Sequence, residues 1–384
     1  MLIHFMISSV LFFVVVQLCI ELFNGYVIRH FPKEPLKDEP PFVSVLVPAR
    51  NEERSIEVCV QSLVEQEYPR YEVIVLNDHS EDATGDILAA LQKRHDNLQV
   101  VEGKPLPEGW YGKHWACWQL AKLARGEWIL FTDADTIHAP TMLWSSVSLA
   151  REEDLDLLTA FVYQKMHTWG ELVTVPFPVW SIFAILPLKV GRLLRLSALS
   201  AVNGQFMFFK QSSYLCIGGH SAVRNHAVDD VALGRLIVKK GYNLAIHDAT
   251  DLVSCRMYQS LTQAVEGFTK NYFALFDYRI VVSCFIWFWM SFVYGFPLAL
   301  LIIQGLCSFL DAPWDSLVAS TVALQLIVWA LPTLRFRMPM RVVLLYPLVV
   351  LVASGIGLTS MVRTISGQAV WKGRTFRNAP IKWF

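Results

Sequence analysis

The sequence predicts an open α/β sheet domain flanked by membrane-spanning helices. Two short apolar runs, at residues 42–47 and 71–76, read as strands, and residues 52–67 between them place apolar side chains on one helix face. A strand, a helix and a second strand at this interval form a parallel pair with a crossover helix. Long apolar stretches stand near both ends of the chain, which places the sheet domain between membrane segments.

The composition is that of a membrane protein. Of the 384 residues, 54% are hydrophobic and 17% are charged, which lies outside the range of ordinary soluble domains. Lys plus Arg and Asp plus Glu both number 33, so the balance excludes a nucleic-acid binder that works through bulk positive charge. The seven cysteines form no CxxC pair, and we therefore expect reduced thiols rather than disulfides or a zinc site.

Residues 1–28 are predicted to be a retained transmembrane anchor. They carry no acidic or basic side chain other than His4 before Glu21, and they are long enough to cross a bilayer. No small-residue cleavage site follows them. Basic residues between positions 29 and 37 come next, so the positive-inside tendency predicts a cytoplasmic domain attached to the cell inner membrane.

The predicted cytoplasmic domain covers residues 41–278. Helical patterns at 84–94 and 115–124 lead to further apolar runs at 98–101 and 127–132, so the alternation of strand and helix continues. In an open sheet of this kind, the carboxyl ends of the strands form the ligand crevice. Asp78, Asp133 and Asp135 each follow a predicted strand, and we expect all three at that crevice.

The region 280–362 is predicted to hold transmembrane or re-entrant helices. Residues 280–310 and 317–334 form an in-out-in hairpin in this prediction, with the acidic connector 311–316 outside. For 342–362 a re-entrant or interfacial piece is favoured, bent at Pro347 or at Gly355 and Gly357. The reason is that the basic tail, 363–384, would otherwise lie outside. A plain spanning helix is the open alternative.

The acidic residues at the strand ends suit a nucleotide and its phosphates. Asp133 and Asp135 bracket one small residue and can hold Mg²⁺ or Mn²⁺, which bridges two phosphates. Glu52 and Asp78 can accept hydrogen bonds from ribose hydroxyls or a base N–H, and Lys113 can neutralise further phosphate charge. Two alternatives stay open: Asp78 as a helix N-cap, and Lys113 as a solvated surface side chain.

Four motifs in order resemble the signature of family 2 glycosyltransferases with the GT-A fold, a Rossmann-like mixed open sheet. They lie at residues 43–53, 75–84, 132–135 and 229–235, and the resemblance covers roughly 41–278. It implies a nucleotide-diphosphate-sugar donor, with a UDP-sugar favoured, a metal-bridged diphosphate and inversion at the anomeric carbon. Asn77 stands where the family often has an acidic residue, so this chain departs from the family pattern at that position.

The resemblance also implies roles for single residues. It assigns Glu52 and Asp78 to the nucleoside, Asp133 to the ribose and metal region, Asp135 to the cation, Asp230 to the catalytic base and Asp229 to its support. An inverting transfer needs such a carboxylate on the acceptor side to take the hydroxyl proton. The acidic pair also suits a helix N-terminus, which is compatible with that role. Residues 203–206 and 218–220 either shape the acceptor side or are ordinary turns.

The acceptor is predicted to come from the membrane. Residues 173–199 combine apolar and basic side chains with prolines, which suits the bilayer interface, and a buried core loop is the alternative. This arrangement resembles membrane glycosyltransferases that act on isoprenoid lipids, including carotenoid- and hopanoid-associated members. Trp371, Lys372 and Arg374 resemble a C-terminal motif of such enzymes and could bind the donor diphosphate if the tail returns inside.

The predicted activity is the transfer of one sugar to a lipid hydroxyl or phosphate. Its partners are then a nucleotide sugar, a lipid acceptor and the bilayer. A processive polysaccharide synthase is an alternative, but the Gln-x-x-Arg-Trp motif usual in such synthases does not occur in the sequence. A membrane-anchored nucleotide-sugar binder without turnover is another, and the presence of a candidate base at Asp230 counts against it.

Overall fold

The computed structural model describes residues 1–33, 39–368, 370–371, 374–375 and 381–384. The chain divides into two compact units. The first, which we call the sheet unit, comprises residues 27–165 and 188–256. The second, the helical unit, comprises residues 1–26, 166–187 and 257–384.

The strands of the described residues have the following bounds, in chain order. They are β1 Val43–Ala49, β2 Tyr71–Asn77, β3 Leu98–Glu102, β4 Trp128–Phe131, β5 Thr136–His138, β6 Leu157–Phe161, β7 Tyr163–Gln164, β8 Met207–Lys210, β9 Leu244–Asp248, β10 Val253–Cys255, β11 Val370–Trp371 and β12 Arg374–Thr375.

The α-helices are, in the same order, α1 Leu2–Val27, α2 Ile56–Val64, α3 Thr84–Gln92, α4 Gly112–Leu123, α5 Met142–Glu152, α6 Trp169–Leu172, α7 Pro176–Ile185, α8 Leu188–Leu193, α9 Gln211–Cys216, α10 Gly219–Ala222, α11 Asp229–Lys239, α12 Leu261–Asn271, α13 Ile280–Cys307, α14 Trp314–Arg335 and α15 Arg341–Ile365.

The sheet unit is built on a seven-stranded mixed sheet in the order β3-β2-β1-β4-β8-β6-β9. Strands β3, β2, β1 and β4 run parallel to one another, as do β6 and β9. Strand β8 is antiparallel to both of its neighbours, β4 and β6. A second sheet, in the order β5-β10-β7, lies in the same unit. The predicted open α/β sheet is therefore confirmed, and its mixed character comes from β8.

Burial explains why the central strands form where the apolar runs predict them. All four residues of β4 are buried, and so are the first five of β1. Strands covered on both faces need apolar side chains at nearly every position rather than at alternate positions. The helix predicted at 52–67 is shorter, Ile56–Val64, because Glu52 accepts backbone hydrogen bonds from Ser55 and Ile56 in a turn before it.

Four helices among the described residues are long and apolar enough to cross a membrane: α1, α13, α14 and α15. They belong to the helical unit, where an aromatic core packs between them. Trp180 of α7 stacks on Trp329 of α14 with ring centroids 4.5 Å apart. The length and composition of these helices agree with the predicted anchor and C-terminal membrane helices.

The structure corrects the expectation of a bend within 342–362. Helix α15 is continuous from Arg341 to Ile365 and contains Pro347. A Cβ on Gly357 would collide with the Trp287 ring of α13, so this glycine permits close helix packing rather than a chain reversal. The C-terminal end of α15 lies beside the start of α13, where the Cys284 thiol donates to Sδ of Met361 at 3.8 Å.

The end of the chain lies at the same end of the helical unit. The Ile280 N–H donates to the Lys382 carbonyl at 2.9 Å, and the Lys382 N–H donates to the Tyr278 carbonyl at 3.0 Å. Residues 381–384 therefore lie beside the first turn of α13, although α15 does not reverse.

The predicted domain boundaries also differ from the compact units. Residues 166–187 and 257–278 pack with the long helices rather than with the sheet. The segment 173–199 is divided between the two units: Trp180 is fully buried in the helical core, whereas Leu193 and Leu194 in the sheet unit are 70% and 64% exposed. The buried-core alternative describes its first half, and the interfacial prediction still applies to its second half.

Candidate active site

The predicted strand ends meet at one edge of the seven-stranded sheet. Strands β2, β1 and β4 are parallel neighbours, so their carboxyl ends point the same way. Beyond β2, the Asp78 N–H donates to the Ala49 carbonyl at 2.8 Å, and beyond β4 the Thr132 N–H donates to the Leu46 carbonyl at 3.2 Å. Asp78 and the Asp133–Asp135 turn therefore leave the sheet at the same edge.

The turn after β4 presents a carboxylate that suits a cation. The Thr136 hydroxyl closes the turn with a 2.7 Å hydrogen bond to the Asp133 carbonyl. Oδ1 of Asp135 is buried and has no hydrogen-bond partner among the described residues. Burial, followed by the charge of Asp133, raises the pKa of Asp135 to about 7. A buried carboxylate oxygen without a donor fits a hard divalent cation, as Mg²⁺ or Mn²⁺ binding requires.

Lys113 is paired rather than solvated. Its ammonium lies 2.5 Å from Oδ1 of Asp133. Burial would lower the pKa of Lys113, but the charges of Asp133 and Asp229 outweigh it and hold the pKa well above its ordinary value. The Lys113 ammonium thus interacts with two carboxylates: Asp133, which follows β4, and Asp229, which begins α11.

Asp230 stands in the first turn of α11, with both carboxylate oxygens held. Oδ2 accepts the Gly204 N–H at 2.8 Å and Oδ1 accepts the Val231 N–H at 2.7 Å. Burial, followed by the charge of Asp229, raises the pKa of Asp230 to about 6. Helix-terminus and base roles are compatible here, because each oxygen keeps a lone pair for a proton.

Asp229 is supported by a histidine that sequence reasoning treated only as part of a turn. His220 is fully buried, its Nε2 lies 3.5 Å from Oδ2 of Asp229, and its Nδ1 lies 2.7 Å from the Tyr214 hydroxyl. Burial opposes the ionisation of Asp229, but Lys113, His114 and His220 outweigh it and hold its pKa well below the ordinary value. The Gly-Gly-His sequence at residues 218–220 was the sequence feature that could have indicated this histidine.

Cys117, His220 and Asp229 bring one potential metal-ligand atom each to within 4.8 Å of one another. The positive charge of Lys113 acts on this same Asp229 carboxylate. Because that charge opposes a further cation, we interpret the group as the surroundings that fix the Asp229 carboxylate next to Asp230.

The predicted nucleoside residues lie in two connected turns. The Glu52 N–H donates to the Thr84 hydroxyl at 2.8 Å, which joins the turn after β1 to the start of α3. Asp82, not Asp78, binds the first turn of that helix, through the Thr84 N–H at 3.0 Å. The N-cap alternative for Asp78 is therefore wrong. The Asn77 side chain, at the position where the family often has an acidic residue, donates to Glu102 of β3 at 3.0 Å.

The turn at residues 203–205 carries contacts that the sequence did not indicate. Gln205 accepts the Thr132 hydroxyl through its carbonyl at 2.8 Å. Its side-chain amide donates to Sγ of Cys255 at 3.0 Å and accepts from Gln164 at 2.7 Å. Together with the Gly204 contact to Asp230, these bonds connect the turn to Thr132, just after β4, and to the first turn of α11.

The predicted tail motif lies in the helical unit. Trp371 and Arg374 are backbone partners in the antiparallel register of β11 and β12. Lys372 lies outside the described residues. Their contact with a donor diphosphate stays a prediction, as do the roles of the other site residues.

Comparison with known proteins agrees with this arrangement. Residues 44–218 match the model of Glycosyl transferase family 2. A beta-monoglucosyldiacylglycerol synthase of Trichormus variabilis is 36% identical over 159 residues, which cover 40% of this chain and 33% of that protein. A 4,4'-diaponeurosporenoate glycosyltransferase of Staphylococcus haemolyticus is 24% identical over 258 residues, which cover 65% of this chain and 66% of that protein. The match thus spans about a third of the first relative's length.

A solved structure shares the fold. The mannosyltransferase from Pyrobaculum calidifontis, in complex with GDP-Man and Mn²⁺, superposes with a TM-score of 0.52 at 17% identity, covering 92% of this chain and 99% of that one. The solved structure shows that the fold is shared. The family model matches the segment that contains Asp78, Asp133 and Asp135. Residues 44–218 are therefore similar to the family 2 glycosyltransferases, and the chain shares its fold with the mannosyltransferase from Pyrobaculum calidifontis.

Proposed function

We propose that this protein transfers one sugar from a nucleotide-diphosphate sugar to a membrane lipid, with inversion at the anomeric carbon. One observation carries the proposal: the 203–205 turn bonds both to Asp230 and, through Gln205, to Thr132 at the start of the Asp133–Asp135 turn. This turn thus contacts the carboxylate suited to proton abstraction and the residue that begins the turn of the carboxylates suited to a cation. Metal-assisted glycosyl transfer needs these two functions at a fixed separation.

The donor side uses the residues beyond β1, β2 and β4. Asp135, with Asp133, would hold Mg²⁺ or Mn²⁺, which when bound neutralises the diphosphate and makes it a better leaving group. Glu52 and Asp78 would accept hydrogen bonds from the nucleoside, and Lys113 would exchange Asp133 for a phosphate oxygen. We favour a UDP-sugar as the donor.

The acceptor side uses Asp230 as the base. The acceptor hydroxyl oxygen bonds to the anomeric carbon from the face opposite the diphosphate, the bond from that carbon to the diphosphate oxygen breaks, and Asp230 takes the hydroxyl proton. A pKa of about 6 leaves Asp230 ionised at neutral pH and makes it a stronger base than an ordinary aspartate. The charge of Asp229, which lies beside His220, raises this pKa and so makes Asp230 more basic.

The names of the relatives and the membrane helices support a lipid acceptor. One relative is named for a diacylglycerol product and another for a carotenoid acid, and both are apolar molecules. Four helices of this chain are suited to a bilayer. We propose an integral protein of the cell inner membrane with the sheet unit in the cytoplasm, where nucleotide sugars are available. Residues 381–384 lie beside the start of α13, so both would share one side of the membrane.

Mass spectrometry of lipids tests the function. Membranes containing the protein are incubated with Mn²⁺ and a panel of UDP- and GDP-sugars, and the extracted lipids are analysed. We expect one new lipid heavier by a single sugar, absent with Asp230→Asn and Asp135→Ala and present with Asp96→Asn, an exposed aspartate elsewhere on the sheet unit. A polymeric product would indicate a processive synthase. Donor binding without any product would indicate a non-catalytic binder.

A further inference from the structure

The chain leaves the predicted membrane anchor along one edge of the seven-stranded sheet. Helix α1 ends at Val27, and residues 29–31 continue beside β9, the last strand in the sheet order. The Asp248 N–H donates to the Arg29 carbonyl at 2.9 Å, and the Arg29 N–H donates to Nδ1 of His247 at 3.1 Å. The main chain is therefore fixed to β9 two residues after α1 ends.

One carboxylate joins this segment to α8. Oε1 of Glu153 lies 3.4 Å from Nη1 of Arg29, and Oε2 lies 2.6 Å from Nη1 of Arg192 in α8. Nε2 of His247, on β9, lies 3.2 Å from Oε1 of the same carboxylate. The Glu153 side chain is only 16% exposed, so solvent ions screen these contacts less than they screen surface pairs. Helix α8 is thereby held next to the residue that follows the anchor.

The end of α8 presents leucines to the outside. Leu193 and Leu194 expose most of their side chains, and Leu196 is 44% exposed. The inner side of α8 is already filled: Gly191 is buried, and a Cβ there would lie 2.7 Å from Cβ of Leu199. These leucines therefore have no room to turn inward. Exposed apolar side chains gathered in this way, with polar residues around them, are typical of an interaction site.

Basic side chains flank the leucines. Lys189 and Arg195 are exposed, and neither has an ion-pair partner among the described residues. Arg192, between them, is already paired with Glu153. Long basic side chains can lie along an apolar surface and extend their charges to its polar boundary. We call this set the α8 surface; its members are Lys189, Leu193, Leu194, Arg195 and Leu196.

We propose that the α8 surface docks on the bilayer, with its leucines among the lipid headgroups and acyl chains and its basic side chains on anionic headgroups. The proposal does not depend on sugar transfer; it requires only that α1 crosses the membrane. Two residues of chain reach at most about 7 Å, so Arg29 stays close to the membrane boundary at which α1 ends. Helix α8 shares Glu153 with Arg29 and therefore lies at that boundary. Apolar residues with a basic rim suit this depth.

Photocrosslinking of the full chain in lipid vesicles tests the proposal. The photoreactive residue p-benzoylphenylalanine is placed at position 193 or 194, and the protein is reconstituted into equal parts of phosphatidylglycerol and phosphatidylcholine. Mass spectrometry identifies the adducts after irradiation. We expect lipid adducts at both positions. The anionic lipid should exceed the zwitterionic lipid at least about fivefold, because each basic side chain near an anionic surface contributes about that factor.

Two other label positions serve as controls. Phe12 of α1 is 71% exposed and should give lipid adducts if α1 crosses the bilayer. Val58 of α2 is 54% exposed on the sheet unit and should give none, because α2 packs beside β2 and β5 rather than at β9. Circular dichroism and the thermal midpoint report whether each labelled protein folds, and the two positions in the α8 surface give independent readings.

Removing the charges tests the anionic part of the proposal. In Lys189→Gln/Arg195→Gln the excess of phosphatidylglycerol adducts should disappear, whereas lipid adducts of both kinds remain because the leucines are unchanged. Lys93→Gln/Arg94→Gln is the matched control, since it removes one exposed lysine and one exposed arginine at the end of α3. An excess that persists in the first double variant, or that is lost equally in both, would overturn the proposal.

The failures are distinguishable. An absence of lipid adducts at Phe12 would overturn the membrane anchor and the docking of α8 with it. Lipid adducts at Phe12 without lipid adducts at positions 193 and 194 would overturn the docking alone, and so would equal yields at Val58. Adducts to another protein at positions 193 and 194 would show that the α8 surface binds a protein instead of the bilayer.

Discussion

The ammonium group of Lys113 lies 2.5 Å from Oδ1 of Asp133, and its charge also acts on Asp229. Lys113, in the first turn of α4, therefore balances the charge of two carboxylates, one just after β4 and one at the start of α11. When a diphosphate approaches Asp133, the same ammonium has a second anionic partner within its reach. Lys113 is therefore the residue through which the proposed cation site and the proposed base share charge.

Replacing Lys113 tests its predicted phosphate contact. Because a hydrogen bond to a charged group contributes about 1.5–3 kcal/mol, Lys113→Gln should weaken donor binding about 10–100-fold in calorimetry with Mn²⁺ present. Lys122→Gln is the control, since Lys122 lies on the same helix over the Trp118 ring and away from Asp133. Unchanged donor affinity in Lys113→Gln would refute the contact.

A methyl group at position 204 should impair chemistry more than donor binding. In Gly204→Ala the new Cβ would lie 3.0 Å from Oδ2 of Asp230, so the carboxylate must shift. Misplacement of a base by about 1 Å can cost about 100-fold in rate, and we expect kcat to fall at least about tenfold with donor affinity retained. Gly295→Ala, where the Cβ meets nothing within 4 Å, serves as the control. Equal losses of kcat in both variants would contradict the prediction.

The pH dependence of turnover should report Asp230. Only its ionised form can accept a proton, so kcat should be present above a pH of about 6 and be lost as the pH falls through that value. After burial, Asp229 raises this pKa, whereas Lys113 and the N–H groups of Val231 and Gly204 lower it. Asp229→Asn should therefore move the acid limb to lower pH. Measurements of kcat between about pH 4.5 and 8, for the wild type and for Asp229→Asn, test this prediction. An acid limb that does not move in Asp229→Asn would contradict the assignment of Asp230 as the base.

The aromatic core of the helical unit should depend strongly on Trp180. This side chain is fully buried and stacks on Trp329 with an interplanar angle of 8°. Trp180→Ala should lower the free energy of unfolding by about 3–5 kcal/mol, because a large cavity forms and the ring contacts are lost. Chemical denaturation in detergent measures the change. Trp169→Ala is the control, since Trp169 is 64% exposed, and a similar loss in both variants would show that the stack is unimportant.

Local sequence patterns were sufficient to predict the parallel strands and the acidic residues beyond them. The strands that precede Asp78 and Asp133 are buried throughout most of their length, so their apolar runs are uninterrupted. Prolines and glycines were less informative. Pro347 and Gly357 suggested a bend in α15, but the helix accommodates the proline and uses the glycine for packing against Trp287.

The sequence by itself determined which elements form and which carboxylates follow them, because periodicity and strand ends depend on neighbouring residues. The tertiary structure alone decided which polar side chains support those carboxylates. Gly204 and Asp230 are 26 residues apart, Gln205 and Cys255 are 50 apart, and Thr132 and Gln205 are 73 apart. These contacts exist because the antiparallel strand β8 lies between β4 and β6, and no local pattern records that order.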